Sequence, residues 1–176
     1  MTKLKRIIVF GASSSRNSIN IQLAIYAARQ YKIPSVEIFD LNDFEMPIFS
    51  VDVEATSGIP EKAHELYFKF GNTDLIIISF TENDGEYIAT FNNIFEWTSR
   101  VDSKLFQGKP TLLLATSTGA FGGSSLIEIA KNRFPDQGAA IKGSFYLPNF
   151  YQNFDDDFGI LNEEYKNQLL DLIKSI

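Results

Sequence analysis

Short apolar runs alternate along the chain with stretches whose apolar residues recur three and four positions apart. The first run, Ile7-Ile8-Val9-Phe10, is uninterrupted and mostly β-branched, and it predicts a buried strand over Leu4 to Phe10. It stops at Gly11. From Ser18 the spacing turns helical, with Ile21, Ala24, Ile25 and Ala28 at i, i+3, i+4 and i+7, so a helix is expected from Ile19 to about Tyr31. Pro34 blocks further helix, and Ser35 to Asp40 alternates like a strand with one wet face, which suits a sheet edge. Residues 41–60 carry Asn, Asp, Pro and Gly with little period and read as a long loop. Pro60 then opens a helix to about Phe70, with Ala63, Leu66, Tyr67 and Phe70 on one side.

The second half repeats the alternation. Leu75 to Phe80 is a continuous apolar run of the kind found in central parallel strands. A polar loop, Thr81 to Glu86, leads into a helix from about Tyr87 to Arg100. Thr111 to Ala115 is another buried strand, Ser124 to Phe134 a helix, Ala140 to Leu147 a fifth strand, and Asn162 to Ile176 a closing helix. Strands alternating with helices, without internal repeat, predict one α/β domain over residues 1–176. The expected architecture is a doubly wound, five-stranded parallel sheet in a three-layer αβα sandwich, with right-handed crossovers. A flavodoxin-like order of 2-1-3-4-5 puts the polar second strand at an edge, whereas the dinucleotide-binding order would want six strands.

Composition narrows the chemistry. The chain has 176 residues, 22 acidic against 16 basic, and a formal charge of −6. Such a balance argues against a nucleic-acid partner, whose phosphates need a concentrated basic surface. Cysteine is absent, which removes disulfides, thiolate metal sites and cysteine nucleophiles. The basic start Lys3-Leu4-Lys5-Arg6 is followed by too few apolar residues for a secretory leader, and no run approaches a membrane span, so a cytoplasmic protein is expected.

Three loops carry the candidate chemistry. Gly11 to Asn20 joins a strand to a helix start through four serines and Arg16, and the free amides and dipole of a helix N-terminus attract anions. The loop lacks the G-K-[ST] of a P-loop and the three glycines of G-x-G-x-x-G, so a single terminal phosphate suits it better than a pyrophosphate. Simple capping of the helix by Asn17 or Ser18 is the competing reading. The third strand ends in Glu82, Asn83, Asp84 and Gly85, where glycine permits positive φ. The fourth ends in Thr116, Ser117, Thr118 and three glycines, a loop almost without side-chain bulk. In such sheets ligands bind beyond the carboxyl ends of the strands at the switch point. A phosphate at the first loop and a flat heterocycle between the other two is the expectation.

Together these residues resemble the NAD(P)H-dependent FMN reductases of flavodoxin-like fold. Of the family pattern G-S-x-R-x-x-S-x-N, Ser13, Ser18 and Asn20 match, while Ser15 takes the arginine's place and Arg16 follows one residue late. The motif T-P-E-Y-N-G-S with its helix ending in D-W appears as Phe80 to Glu86 and onward to Glu96-Trp97, keeping Glu82, Gly85, Asn93 and Trp97. Thr116 to Gly123 follows S-T-S-P-G-x-x-G-G. The resemblance implies FMN as cofactor, with NADPH or NADH as transient hydride donor and a small-molecule electron acceptor such as a flavin, quinone or azo compound. Ser13, Ser15, Ser18 and Asn20, with Arg16 nearby, would hold the phosphate. Glu82, Asn83, Asp84, Gly85, Thr116, Ser117, Gly119 and Gly122 would line the ring. A homodimer or homotetramer is implied as well, and a non-catalytic FMN-binding electron carrier is the alternative.

Other features carry less. No catalytic acid–base residue and no metal site are expected. His64 stands alone on its predicted helix, and Asp155-Asp156-Asp157 reads as a solvated turn. Trp97 reads as core or subunit contact rather than a cofactor stack. The aromatic segment Phe145 to Phe154 is either a partner surface or folds back over its own sheet.

Overall fold

The computed structural model describes residues 4–33, 35–83, 85–120 and 123–176, with the backbone alone for Glu82 and Asn83. Pro34, Asp84 and Gly122, named above, lie outside the described residues. Five parallel strands form the sheet: β1 (Arg6–Ala12), β2 (Ser35–Ile38), β3 (Leu75–Phe80), β6 (Pro110–Thr116) and β7 (Ala140–Leu147). Between β3 and β6 the chain makes two-residue strands β4 (Glu82–Asn83) and β5 (Glu86–Tyr87). The sheet order is β2-β1-β3-β6-β7, the flavodoxin order expected, with the polar β2 at an edge.

Alternate residues of the central strands feed two cores. Ile8, Phe10, Ile76, Ile78, Phe80 and Leu113 face α3 (Glu61–Gly71), α4 (Ala89–Val101) and α5 (Ser124–Arg133). Ile7, Val9, Leu75, Ile77, Leu112 and Leu114 face α1 (Ile19–Arg29) and α7 (Glu163–Lys174). The first layer is aromatic: Phe95 lies 4.1 Å from Phe91 between ring centroids and also meets Phe10, Phe70, Phe106 and Phe134. Trp97 belongs to this core, fully buried, with its Nε1 donating to the Pro47 carbonyl at 2.7 Å. On the other side α1 buries Asn20, Leu23, Ala24, Ala27 and Ala28, so Ile21 and Ile25 of the expected stripe sit at its margin.

Several local expectations change. The span 41–60 is no plain loop: Leu41–Phe44 forms a 3-10 turn and α2 (Val51–Ser57) a short helix. None of the α2 residues is buried, so it has no apolar stripe to betray it. Its ends are nonetheless marked, since Ser50 Oγ accepts the Val53 amide and Gly58 closes it at φ +74°. The polar loop after β3 folds as the antiparallel hairpin β4–β5, and α4 starts two residues later than the pattern suggests. The aromatic segment returns over its own sheet through α6 (Phe150–Asn153) and the hairpin of β8 (Phe154–Asp155) with β9 (Gly159–Ile160), burying Phe145, Leu147 and Phe150. Asp155 Oδ1 accepts the amides of Asp157 and Phe158 and closes that hairpin. His64 is exposed on α3. Among the described residues no helix is long and apolar enough to cross a membrane.

Candidate functional site

Strand register makes the site. Ala12 pairs with Phe80, and Phe80 with Ala115, so β1, β3 and β6 finish level and release their loops at one rim. Gly11, facing α1, lets the helix start close against the sheet: a Cβ there would lie 2.9 Å from the Ile21 amide nitrogen. The N-terminus of α1 is thereby pressed against the end of β1.

In the first loop Ser18 caps α1, its Oγ accepting the Ile21 amide at 3.1 Å, and Ser13 Oγ accepts the Ser15 amide at 3.1 Å. Each hydroxyl accepts within the protein and so keeps its own proton to donate. Ser15 is exposed beside them. The amides of Ser14, Arg16, Asn17, Ile19 and Asn20 have no acceptor among the described residues. Unpaired amides and donor hydroxyls around a helix start suit a phosphate monoester. Capping and anion binding are therefore compatible roles for Ser18. Arg16 turns to the flank, 3.5 Å from Asp40 and 3.3 Å from Asp43, in a small hollow that Gly11, Ser13, Ser15 and Asp40 also line.

Asn20 does something else. It is 2 % exposed, and all four of its hydrogen-bonding positions are taken. Oδ1 accepts from Ser79 Oγ at 2.8 Å and from the Thr116 amide at 3.1 Å. Nδ2 donates to Thr81 Oγ1 at 3.2 Å and to the Thr116 carbonyl at 3.3 Å. Thr116 is equally committed, since its Oγ1 donates to the Leu147 carbonyl at 2.7 Å. Neither side chain has a polar donor left over, so both side chains brace the rim from beneath, while the backbone amide of Asn20 still belongs to the open helix start. Ser79 and Thr81 complete this knot, and the sequence pattern did not single them out.

The other two loops offer backbone. Gly85 has φ +79°, and among the described residues nothing lies within 4 Å of where a Cβ would stand. Beneath it Tyr87 is buried against Phe80, Phe91 and Phe134, and burial raises its phenol pKa. In the fourth loop Ser117 Oγ and the Gly119 backbone close a turn at 3.2 Å, and Gly119 is exposed. The Asn149 and Phe150 amides donate to the Gly119 and Ser117 carbonyls, tying this loop to the end of β7. Asn93 and Trp97 lie outside the crevice. Asn93 accepts the Phe49 amide and donates to the Met46 and Pro47 carbonyls, so both residues pin the 46–49 segment to α4.

Residues 5–152, which contain all three loops, match the family model described as NADPH-dependent FMN reductase. The chain belongs to that family. Among curated relatives, quinone reductase of Escherichia coli (strain K12) is 26% identical over 80 residues, covering 46% of this chain and 43% of the relative. A 2-hydroxy-1,4-benzoquinone reductase from a Burkholderia species is 32% identical over 121 residues, covering 68% and 63%. These matches span about half to two thirds of the relatives' length. Of solved structures, the Paracoccus denitrificans flavoenzyme NAD(P)H:(acceptor) oxidoreductase superposes with a TM-score of 0.75 at 20% identity, covering 98% of this chain and 94% of that one. At that identity the likeness speaks for the fold. The family motif's arginine position holds Ser15 here, and Arg16 is paired with carboxylates instead.

Proposed function

We propose that residues 1–176 form one FMN-binding domain that works as an NAD(P)H-dependent oxidoreductase, reducing free flavin, quinone or azo acceptors. The observation that carries this reading is the group of amides without an acceptor among the described residues, with the donor hydroxyls of Ser13 and Ser18, at the end of β1 and level with the ends of β3 and β6. Ser13, Ser15 and Ser18 hold the phosphate together with the amides of 14, 16, 17, 19 and 20. The backbone at Glu82, Asn83 and Gly85 meets one side of the ring and Ser117 with Gly119 the other; Asp84 and Gly122 belong to the same loops. FMN supplies the redox chemistry when bound, taking hydride from a reduced nicotinamide and passing electrons to a second small molecule.

The chain's own task is positioning. The amide cluster anchors the phosphate end, and the knot at Asn20 keeps the first loop in register with the ends of β3 and β6. No side chain in the rim is needed as acid or base, so no catalytic residue is assigned. The knot also fixes the spacing between anchor and ring slot. A homodimer or homotetramer in the cytoplasm is part of this reading. Its support is a groove of about 320 Å³ between the 44–48 segment and the start of α4, with Ile48 and Val51 85% and 71% exposed nearby. Light scattering tests the assembly.

Mixing the purified protein with FMN and NADPH or NADH under air tests the activity. Sustained consumption of the nicotinamide beyond one equivalent is expected. A bound yellow flavin without turnover would instead make the protein an electron carrier, and absence of flavin uptake would refute both.

A further inference from the structure

The cation that the first loop supplies is already spoken for. Arg16 faces Asp40 and Asp43 at 3.5 and 3.3 Å, and the 40–43 segment is laced to the loop a second time by Asn42, whose Nδ2 donates to the Ser14 carbonyl at 3.1 Å. Asp40 is held in place by Asn42, its Oδ1 accepting the Asn42 amide at 2.9 Å and Nδ2 at 2.7 Å. Asp40 also lines the hollow shared by Gly11, Ser13, Ser15 and Arg16. One guanidinium against two carboxylates leaves this flank of the loop with a surplus negative charge. A phosphate dianion arriving there meets that surplus. Either Arg16 leaves the carboxylates, or the phosphate is held by amides and hydroxyls alone beside Asp40.

We propose that Asp40 and Asp43 hold Arg16 off the flavin phosphate and thereby keep FMN affinity low enough for the flavin to exchange as a substrate. This rests on the FMN reading above and adds to it a specific device in this chain. The pair is exposed, Arg16 and Asp43 side chains being 66% and 61% accessible, so the guanidinium is free to swing once a carboxylate is removed. Neutralising Asp43 therefore releases Arg16 toward the phosphate. Riboflavin, which has the ring but no phosphate, is indifferent to the change.

The test is an equilibrium titration of the flavin-free protein with FMN and with riboflavin at low ionic strength, followed by flavin fluorescence. Asp43→Asn disturbs no other contact, and Asp40→Asn keeps an oxygen for Asn42, so both variants fold. Each is expected to tighten FMN by about tenfold and to leave riboflavin within about twofold. In an Arg16→Ala background the Asp43→Asn gain disappears. The proposal is overturned if wild type binds FMN and Asp43→Asn does not change that affinity. It is overturned equally if the gain persists without Arg16, or if riboflavin gains as much as FMN. Wild type that takes up no FMN under these conditions refutes the flavin assignment itself.

Discussion

Replacing Asn20 by leucine separates support from ligation. The substitution keeps the volume and removes every polar atom from a site that joins α1 to the ends of β3 and β6. Four partners are stranded, but not equally. Thr81 is half-buried and finds water, and the Ser79 hydroxyl can rotate. The amide and carbonyl of Thr116, which is 1% exposed, have no such recourse. A buried polar group left without a partner costs about 1–3 kcal/mol, so two give about 2–6 kcal/mol, and we expect about 3–5 kcal/mol of lost stability. Urea denaturation reads this as a lower midpoint at unchanged slope. In a double-mutant cycle Ser79→Ala costs about 1 kcal/mol in wild type and close to nothing in the Asn20→Leu background. FMN affinity falls as well, because the three loops lose their common tie. Asn17→Ala, at an exposed position of the same loop, should change stability by under about 0.5 kcal/mol. A loss below about 1 kcal/mol for Asn20→Leu, with flavin uptake intact, would refute the idea that this amide sets the rim.

Three further outcomes are expected. Gly11→Ala places a methyl 2.9 Å from the Ile21 nitrogen, which must move α1 off the sheet; a loss above about 2 kcal/mol with reduced FMN binding is expected, and wild-type values for both would contradict the close approach. Phe95→Ala empties the centre of the aromatic layer and should cost about 3–5 kcal/mol in the same denaturation assay, with under about 2 kcal/mol counting against that packing. The Asp74 carboxylate accepts the Lys5 and Arg6 amides at 2.8 and 3.0 Å, and these bonds lower its pKa. A folded value below the unfolded one contributes stability above about pH 4 that fades as pH falls through the folded value. Asp74→Ala should therefore be less stable than wild type at pH 7, by at most about 1 kcal/mol given its exposure, with the gap closing on acidification. A gap that widens toward low pH would reverse the sign of the argument.

Much of the architecture was legible because it rests on local pattern. Leu75 to Phe80 and Thr111 to Ala115 are apolar but for Ser79 and Thr111 and buried throughout, since both faces of those strands are covered, and that run places them at the sheet centre. The α2 helix escaped because its burial follows no period, although Ser50 and Gly58 stood at its ends as start and stop signals. The β4–β5 hairpin has two residues per strand, too few to alternate. In the site, the serines were visible from composition and position. The partners of Asn20 were not, since Ser79 and Thr116 lie 59 and 96 residues away and only the register of three strands brings them together. The pairing of Arg16 with Asp40 and Asp43 was hidden for the same reason, across 27 residues in the case of Asp43.

The chain carries one tryptophan, Trp97, and its indole sits where the 46–49 segment meets α4, under the ring of Phe49 at 5.0 Å. Any event that lifts that segment exposes the indole to solvent and reddens its emission. The flavin-free protein thus holds a native optical gauge of its own periphery, readable without a label.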